Sequence, residues 1–226
     1  MNNLIFFDLD NTFYNYKNTH EFAINEVYKN QKIYDSFENF ISDYTKQKEI
    51  VHKRLKHSPS KHSKLIYFKD LFINKLEIKH ILELERIYWA SFIKSANINQ
   101  KLINYIRDCK KKEDIFLLMT NQNTNVQMLK IEKWNLDFFN FIFTSEDIGY
   151  EKPNKKFFAY VDSFLENIDL NTYKTFAIGD DLHNDLTYWK DNYRAKCFLI
   201  NNELSTASSK DMITVSNFEH AINEIY

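Results

Sequence analysis

Two carboxylates, Asp8 and Asp10, close the apolar run LIFFDLDNTF, and three more, Asp180, Asp181 and Asp185, crowd the stretch AIGDDLHND. In extended backbone, residues two apart point to the same side. Asp8 and Asp10 therefore start as like charges on one face, which disfavours ionisation unless a divalent cation, an arginine or a shared proton opposes it. Hard oxygen donors in this number suit Mg²⁺, which takes one or two carboxylates together with substrate phosphate and keeps several waters. The denser, Glu-terminated spacing of a calcium loop is absent. Lys152, in GYEKPNKKFF, adds a positive charge. Pro153 restricts Lys152 to extended backbone and is expected to open the helix that follows, making an anion site. Thr120 and Asn121, in LLMTNQN, complete the set; a hydroxyl there can hold a phosphoryl oxygen.

Each residue also has a plainer use. A lone Asp at a strand end makes an Asx-turn or a helix cap, and Thr120 can cap the next helix. Lys152 can be a solvated lysine beside Lys155 and Lys156. The case for chemistry rests on where the residues fall. Apolar runs of strand length occur at Leu4 to Phe7, Ile115 to Met119, Phe141 to Thr144, Thr175 to Ile178, Lys196 to Ile200 and, more weakly, Met212 to Val215. Continuous hydrophobicity without alternation suits parallel strands covered on both faces. Segments with helical spacing separate them, as in Val126, Leu129, Ile131 and Trp134. The expected core is thus an α/β parallel sheet, and such sheets build their sites at the carboxyl ends of strands. All the residues named above fall at those ends. Residues 15–98 read as helical throughout and are expected to form an inserted all-helical unit, with 1–14 and 99–226 as the core. Asn201 to Lys210 reads as a polar loop.

Bulk properties narrow the classes. With 226 residues, 44% hydrophobic, the chain can bury a core and a smaller inserted unit. Thirty Lys and Arg against 31 Asp and Glu give no global bias toward nucleic acid or membrane, and neither is expected as a partner. No transmembrane run, signal-peptide pattern or cysteine pair at metal-ligand spacing is present, so a cytoplasmic protein with reduced Cys109 and Cys197 is expected. Glycine and proline occur only twice each.

FFDLDNTF, the TN after an apolar strand, KPNKKFF and GDDLHND resemble, in order and separation, the four motifs of the haloacid dehalogenase-like superfamily. The run from Thr120 to Tyr160 is similar to the pyrimidine 5′-nucleotidase and N-acylneuraminate-9-phosphatase branches. The resemblance implies a Rossmann-like core with a helical cap of the first type. It further implies that Asp8 is a nucleophile forming an aspartyl-phosphate, and that Asp10 protonates the leaving alcohol and then activates water. Asp8, the backbone carbonyl of Asp10 and Asp180 would hold Mg²⁺. Thr120, Asn121 and Lys152 would grip phosphoryl oxygens. Asp185, Asp181 and Thr12 would support them, Asp185 by orienting Lys152 or a metal-bound water. An acid at position 10 favours phosphate chemistry over dehalogenation, because halide departs without a proton.

The expected activity is hydrolysis of a small phosphate monoester, a nucleoside monophosphate or a sugar phosphate. A phosphomutase, or a catalytically idle relative that binds a phosphorylated ligand or a protein, are the alternatives; the oligomeric state stays open. Departures from the family pattern are Asn11 and Gln122, where glycine is frequent, and the bulky Tyr188, Trp189, Asn192 and Tyr193, where small residues are. Asn tolerates left-handed backbone, so the turn at Asn11 is expected to survive. Residues 50–69 carry six Lys or Arg and no acid. His57, Lys61 and His62 there are candidates for substrate recognition, with a solvated surface and, behind it, nucleic-acid contact as the alternatives.

Overall fold

The computed structural model describes residues 1–201 and 212–226. They divide into two compact units, Asn15–Asn97 and Met1–Tyr14 with Ile98–Tyr226. The polar stretch expected as a loop lies, beyond Asn201, outside the described residues.

The Asn15–Asn97 unit consists of four helices, α1 (Tyr16–Asn30), α2 (Phe37–Arg54), α3 (Lys64–Phe72) and α4 (Ile78–Ser95), with a 3-10 turn at Pro59–His62. Asn15, Ser36 and Ser63 each accept a backbone N–H of the first turn, which starts α1, α2 and α3 where the sequence offers a cap. Phe40, Phe68, Phe72, Tyr88 and Phe92 fill the interior, each such buried ring contributing about 2 to 3 kcal/mol. A polar seam runs through it. His20 Nδ1 lies 2.7 Å from the Tyr88 hydroxyl, and burial, then Lys64 and Lys48, push the imidazole down to about 3, so it is neutral at ordinary pH. Lys64 is buried with its ammonium 5.1 Å from the Tyr67 ring and 5.6 Å from the Tyr88 ring, a cation–π arrangement.

This seam changes the reading of residues 50–69. Arg54 and Lys69 both pair with Asp70, at 2.6 and 3.1 Å, and Lys64 is interior, so half of the basic run is neutralised or withdrawn from the surface. Of the three candidate recognition residues, His57 is exposed in the turn after α2. Lys61 and His62 sit in the 3-10 turn, which the Tyr67 hydroxyl fastens by donating to the Lys61 carbonyl.

In the other unit, six strands pair in parallel in the order β3-β2-β1-β4-β5-β6. They are β1 (Asn2–Phe7), β2 (Ile115–Thr120), β3 (Phe141–Thr144), β4 (Tyr173–Gly179), β5 (Lys196–Ile200) and β6 (Met212–Val215). Helices α5 (Gln100–Cys109), α6 (Thr124–Lys133), α7 (Ser145–Ile148), α8 (Lys155–Ser163), α9 (Thr187–Tyr193) and α10 (Phe218–Asn223) connect or follow them. Strands β1 and β2 are buried almost throughout, as continuous apolar runs require. The fold is α/β and Rossmann-like.

The bulky residues of α9 have built their own seat. Trp189 stacks on Phe6 of β1 with ring centroids 3.7 Å apart, and Tyr188 stacks on Phe158 of α8 at 4.1 Å. Tyr188 and Tyr193 both donate their hydroxyls to Asp162, tying α9 to α8. Cys109 and Cys197 are not joined in a disulfide, and Cys197 is buried. Among the described residues no helix is long and apolar enough to cross a membrane.

Candidate active site

The register of the sheet brings the sequence motifs to one rim. Phe7 is level with Leu118 of β2 and Ile178 of β4, so the residues following all three strands converge. A cavity of about 200 Å³ opens there, walled by Asp8, Asp10, Thr120, Asn121, Lys152, Asp180, Asp181 and Asp185, with Asn184 in addition.

Lys152 is the centre of charge. Its buried ammonium donates to Asp8 Oδ1 at 2.9 Å, Asp185 Oδ1 at 2.6 Å and the Met119 carbonyl at 2.8 Å. Burial alone would favour neutral lysine, but Asp185 and Asp8 outweigh it and hold Lys152 above the ordinary lysine range. Asp8 lies on the other side of this balance. Burial and the charge of Asp185 push its carboxyl well above the usual carboxylate range, against the pull of Lys152. Thr12 Oγ1 donates to Asp8 Oδ2 at 2.9 Å and so fixes the carboxylate plane.

The turn after β1 depends on Asn11. Its φ of 68° is left-handed, as the sequence permitted, and its side-chain amide donates to Asp180 Oδ2 at 2.7 Å. Asp185 accepts from the Asp181 backbone N–H at 3.0 Å, and Asp181 itself caps the π-helical turn Leu182–Leu186 by accepting from His183 and Asn184. Gly179 makes room for this. A Cβ at position 179 would lie 2.4 Å from Asp185 Cβ, so no other residue fits without moving Asp185 off Lys152.

Two readings of the sequence change in detail. Asn154, not Pro153, opens α8: its side chain accepts the Lys156 N–H and Lys155 is the first helical residue, so Pro153 stands before the cap. Thr120 does not cap α6. Its hydroxyl accepts from Gln127 Nε2 at 2.6 Å, while Glu146 takes the Thr124 N–H at 2.8 Å. Asn121 lines the cavity but uses both ends of its amide on the Lys152 backbone, donating to its carbonyl at 2.9 Å and accepting its N–H at 2.8 Å.

Asp10 has neighbours that the motifs did not announce. Lys130 and Gln127 of α6 and Tyr14 all donate to its carboxylate. Burial raises the Asp10 carboxyl, but Lys130 and these hydrogen bonds prevail and hold it below its ordinary value. In sequence, Lys130 and Gln127 look like the polar face of a surface helix; both are buried.

Carboxylate oxygens of Asp8, Asp180 and Asp185 lie within 4.8 Å of one another. An all-oxygen set of this compactness can hold a hard divalent cation, whose charge would oppose the crowding that lifts Asp8. The Asp10 carboxylate is turned to Lys130 instead.

Residues 3–187 match the haloacid dehalogenase-like hydrolases. The chain belongs to that family. This haloacid dehalogenase-like hydrolase is similar to the ribulose-1,5-bisphosphate 5-phosphatase of Halopiger xanaduensis, with 25% identity over 189 residues, 80% of this chain and 78% of that one. Over 83 residues, 36% of each chain, it is 30% identical to the pyrimidine 5′-nucleotidase YjjG of Escherichia coli. Its fold is shared with the HAD-hydrolase YfnB of Bacillus subtilis, solved bound to magnesium. That pair has a TM-score of 0.65 at 18% identity, covering 99% of this chain and 98% of that one.

Proposed function

We propose that this hydrolase is a Mg²⁺-dependent phosphatase of the cytoplasm, acting on a small phosphate monoester through an aspartyl-phosphate. The observation that carries the reading is Lys152 set between Asp8 and Asp185 in a 200 Å³ cavity, beside a compact carboxylate cluster. That volume admits a phosphoryl group and its ions, with the rest of the metabolite outside. The two phosphatase relatives support the same chemistry.

In this mechanism Asp8 Oδ attacks phosphorus, the bond to the leaving oxygen breaks, and that oxygen takes a proton that Asp10, a carboxylate in the free protein, has first taken up from solvent. Asp10 then accepts a proton from water as the water oxygen attacks phosphorus and frees Asp8. Lys152 and Thr120 hold phosphoryl oxygens, while Asn121 and Asp185 hold Lys152. Thr12 and Asn11 orient Asp8 and Asp180, and Asp181 supports the turn that carries Asp185. Asp8, Asp180 and the Asp10 carbonyl, with Asp185 adjacent, would hold Mg²⁺, which would neutralise charge at the phosphoryl oxygens. The 15–98 unit serves as a cap whose closure excludes water, with His57, Lys61 and His62 as its recognition residues. Nucleoside monophosphates and sugar phosphates are the substrate classes, following the names of the relatives.

Purified protein is expected to release phosphate from p-nitrophenyl phosphate and from members of a nucleotide and sugar monophosphate panel in Mg²⁺. EDTA should lower the rate by about 10²-fold or more, and added Mg²⁺ should restore it. Release that ignores EDTA would overturn the metal requirement. A phosphate moved to a second position of the same sugar, with none set free, would identify a mutase.

A further inference from the structure

Both oxygens of Asp10 are taken up by groups outside the cavity wall. Oδ1 accepts from Lys130 Nζ at 2.5 Å and from the Tyr14 hydroxyl, and Oδ2 accepts from Gln127 Nε2 at 2.8 Å. The same Gln127 nitrogen donates to Thr120 Oγ1 at 2.6 Å, and Lys130 Nζ reaches the Tyr14 hydroxyl at 3.1 Å. The Lys130 side chain is 0% exposed against 20% for Asp10, and Gln127 is fully buried. Residues 127 and 130 are one turn apart and share a face of α6.

Folding alone does not call for this arrangement. Taking a lysine out of water costs several kcal/mol even when it is paired, and apolar residues of similar volume in its place are often neutral or stabilising. Val126 and Ile131 on the same helix show that α6 can present apolar side chains to the interior. Instead, two polar residues are interred where both converge on one carboxylate, and Tyr14 joins them from the end of the β1 turn.

We propose that Lys130, Gln127 and Tyr14 are positioning residues for the reaction: they fix the direction of the Asp10 carboxylate and, through Gln127, tie it to the Thr120 hydroxyl. The group that serves the leaving oxygen and the group that holds a phosphoryl oxygen then keep a constant separation. Lys130 keeps its own proton throughout; the transferred proton is one that Asp10 takes up from solvent before the step. This role rests on the phosphatase reading.

The test compares two substrates whose leaving groups differ in their need for a proton. For both, kcat/KM covers the steps through departure of the leaving group. An alkoxide needs Asp10 well placed, whereas p-nitrophenolate departs with little assistance. In Lys130→Met, kcat/KM for a simple alkyl phosphate is expected to fall about 100-fold. For p-nitrophenyl phosphate the fall is expected to be about tenfold smaller, with Lys130→Arg recovering part of the difference. Tyr14→Phe, which removes only a hydroxyl, should show the same asymmetry at smaller size and decides the matter if Lys130→Met does not fold. Equal losses on the two substrates, or none, would overturn the positioning role alone. Wild-type protein inert toward both would overturn the phosphatase reading and this role with it.

Discussion

Asp8→Asn is expected to abolish turnover, lowering p-nitrophenyl phosphate hydrolysis by about 10⁴-fold or more, while leaving the fold at least as stable as before. The amide cannot form the covalent intermediate, and nothing else at the rim replaces it: Asp10 is turned to Lys130, and Asp185 is bound to Lys152. Stability moves the other way because burial and Asp185 already press Asp8 toward its neutral form. A neutral side chain of the same shape relieves that pressure: its oxygen accepts from Lys152, and its NH2, in place of Oδ2, donates to the Thr12 hydroxyl oxygen. Activity and thermal denaturation of the same preparation check both halves. A variant with several per cent of wild-type turnover would remove Asp8 as the nucleophile.

Lys152→Met should damage stability and activity together. It deletes the ammonium that Asp8, Asp185 and the Met119 carbonyl share, and leaves two buried carboxylates facing each other. Breaking a buried pair in this way costs about 3 to 5 kcal/mol. Turnover should fall by about 10³-fold as a phosphoryl-oxygen donor is lost. Mg²⁺ should recover part of the stability, since a cation that binds only the folded site stabilises it by mass action, but not the activity. Denaturant titrations of wild type and variant, with and without Mg²⁺, measure this. Equal midpoints for the two proteins would show that Lys152 does not hold the carboxylates together.

The strands were legible because a buried parallel strand has to be apolar along its whole length; Phe141–Thr144 and Lys196–Ile200 end where their runs end. The gathering of Asp8, Lys152 and Asp180 was legible for a related reason, since strand ends in one sheet share a rim. Lys130 and Gln127 were not. In a lysine-rich chain, a helical lysine carries no mark of its burial, which depends on how α6 is rolled against the β1 turn. What Asn121 does for the Lys152 backbone was not legible either, since an amide at a strand end carries no mark of the backbone it will hold. Trp189 and Tyr188 stood out as bulky residues where small ones are frequent, but their seats on Phe6, Phe158 and Asp162 lie far along the chain and carry no sequence signal.

Strand β1 lies inside the sheet, yet its neighbour β2 arrives only after the whole Asn15–Asn97 unit has passed. The Asn3 N–H finds its acceptor, Asp114 Oδ1, 111 residues along the chain. Closing so long a loop of disordered chain is entropically expensive, and contacts of high sequence separation slow folding. The four helices offer a remedy. Helices α1 and α4 pair so that Tyr16, at the start of the unit, meets Phe92 near its end, ring centroids 5.5 Å apart. Once that pair has formed, the ends of the insertion are already neighbours and the loop that β1 and β2 must close is short. Refolding should therefore run helices first and sheet second. Emission from Trp89 should change ahead of that from Trp189, and the rate of sheet closure would then be governed partly by residues that touch none of its strands.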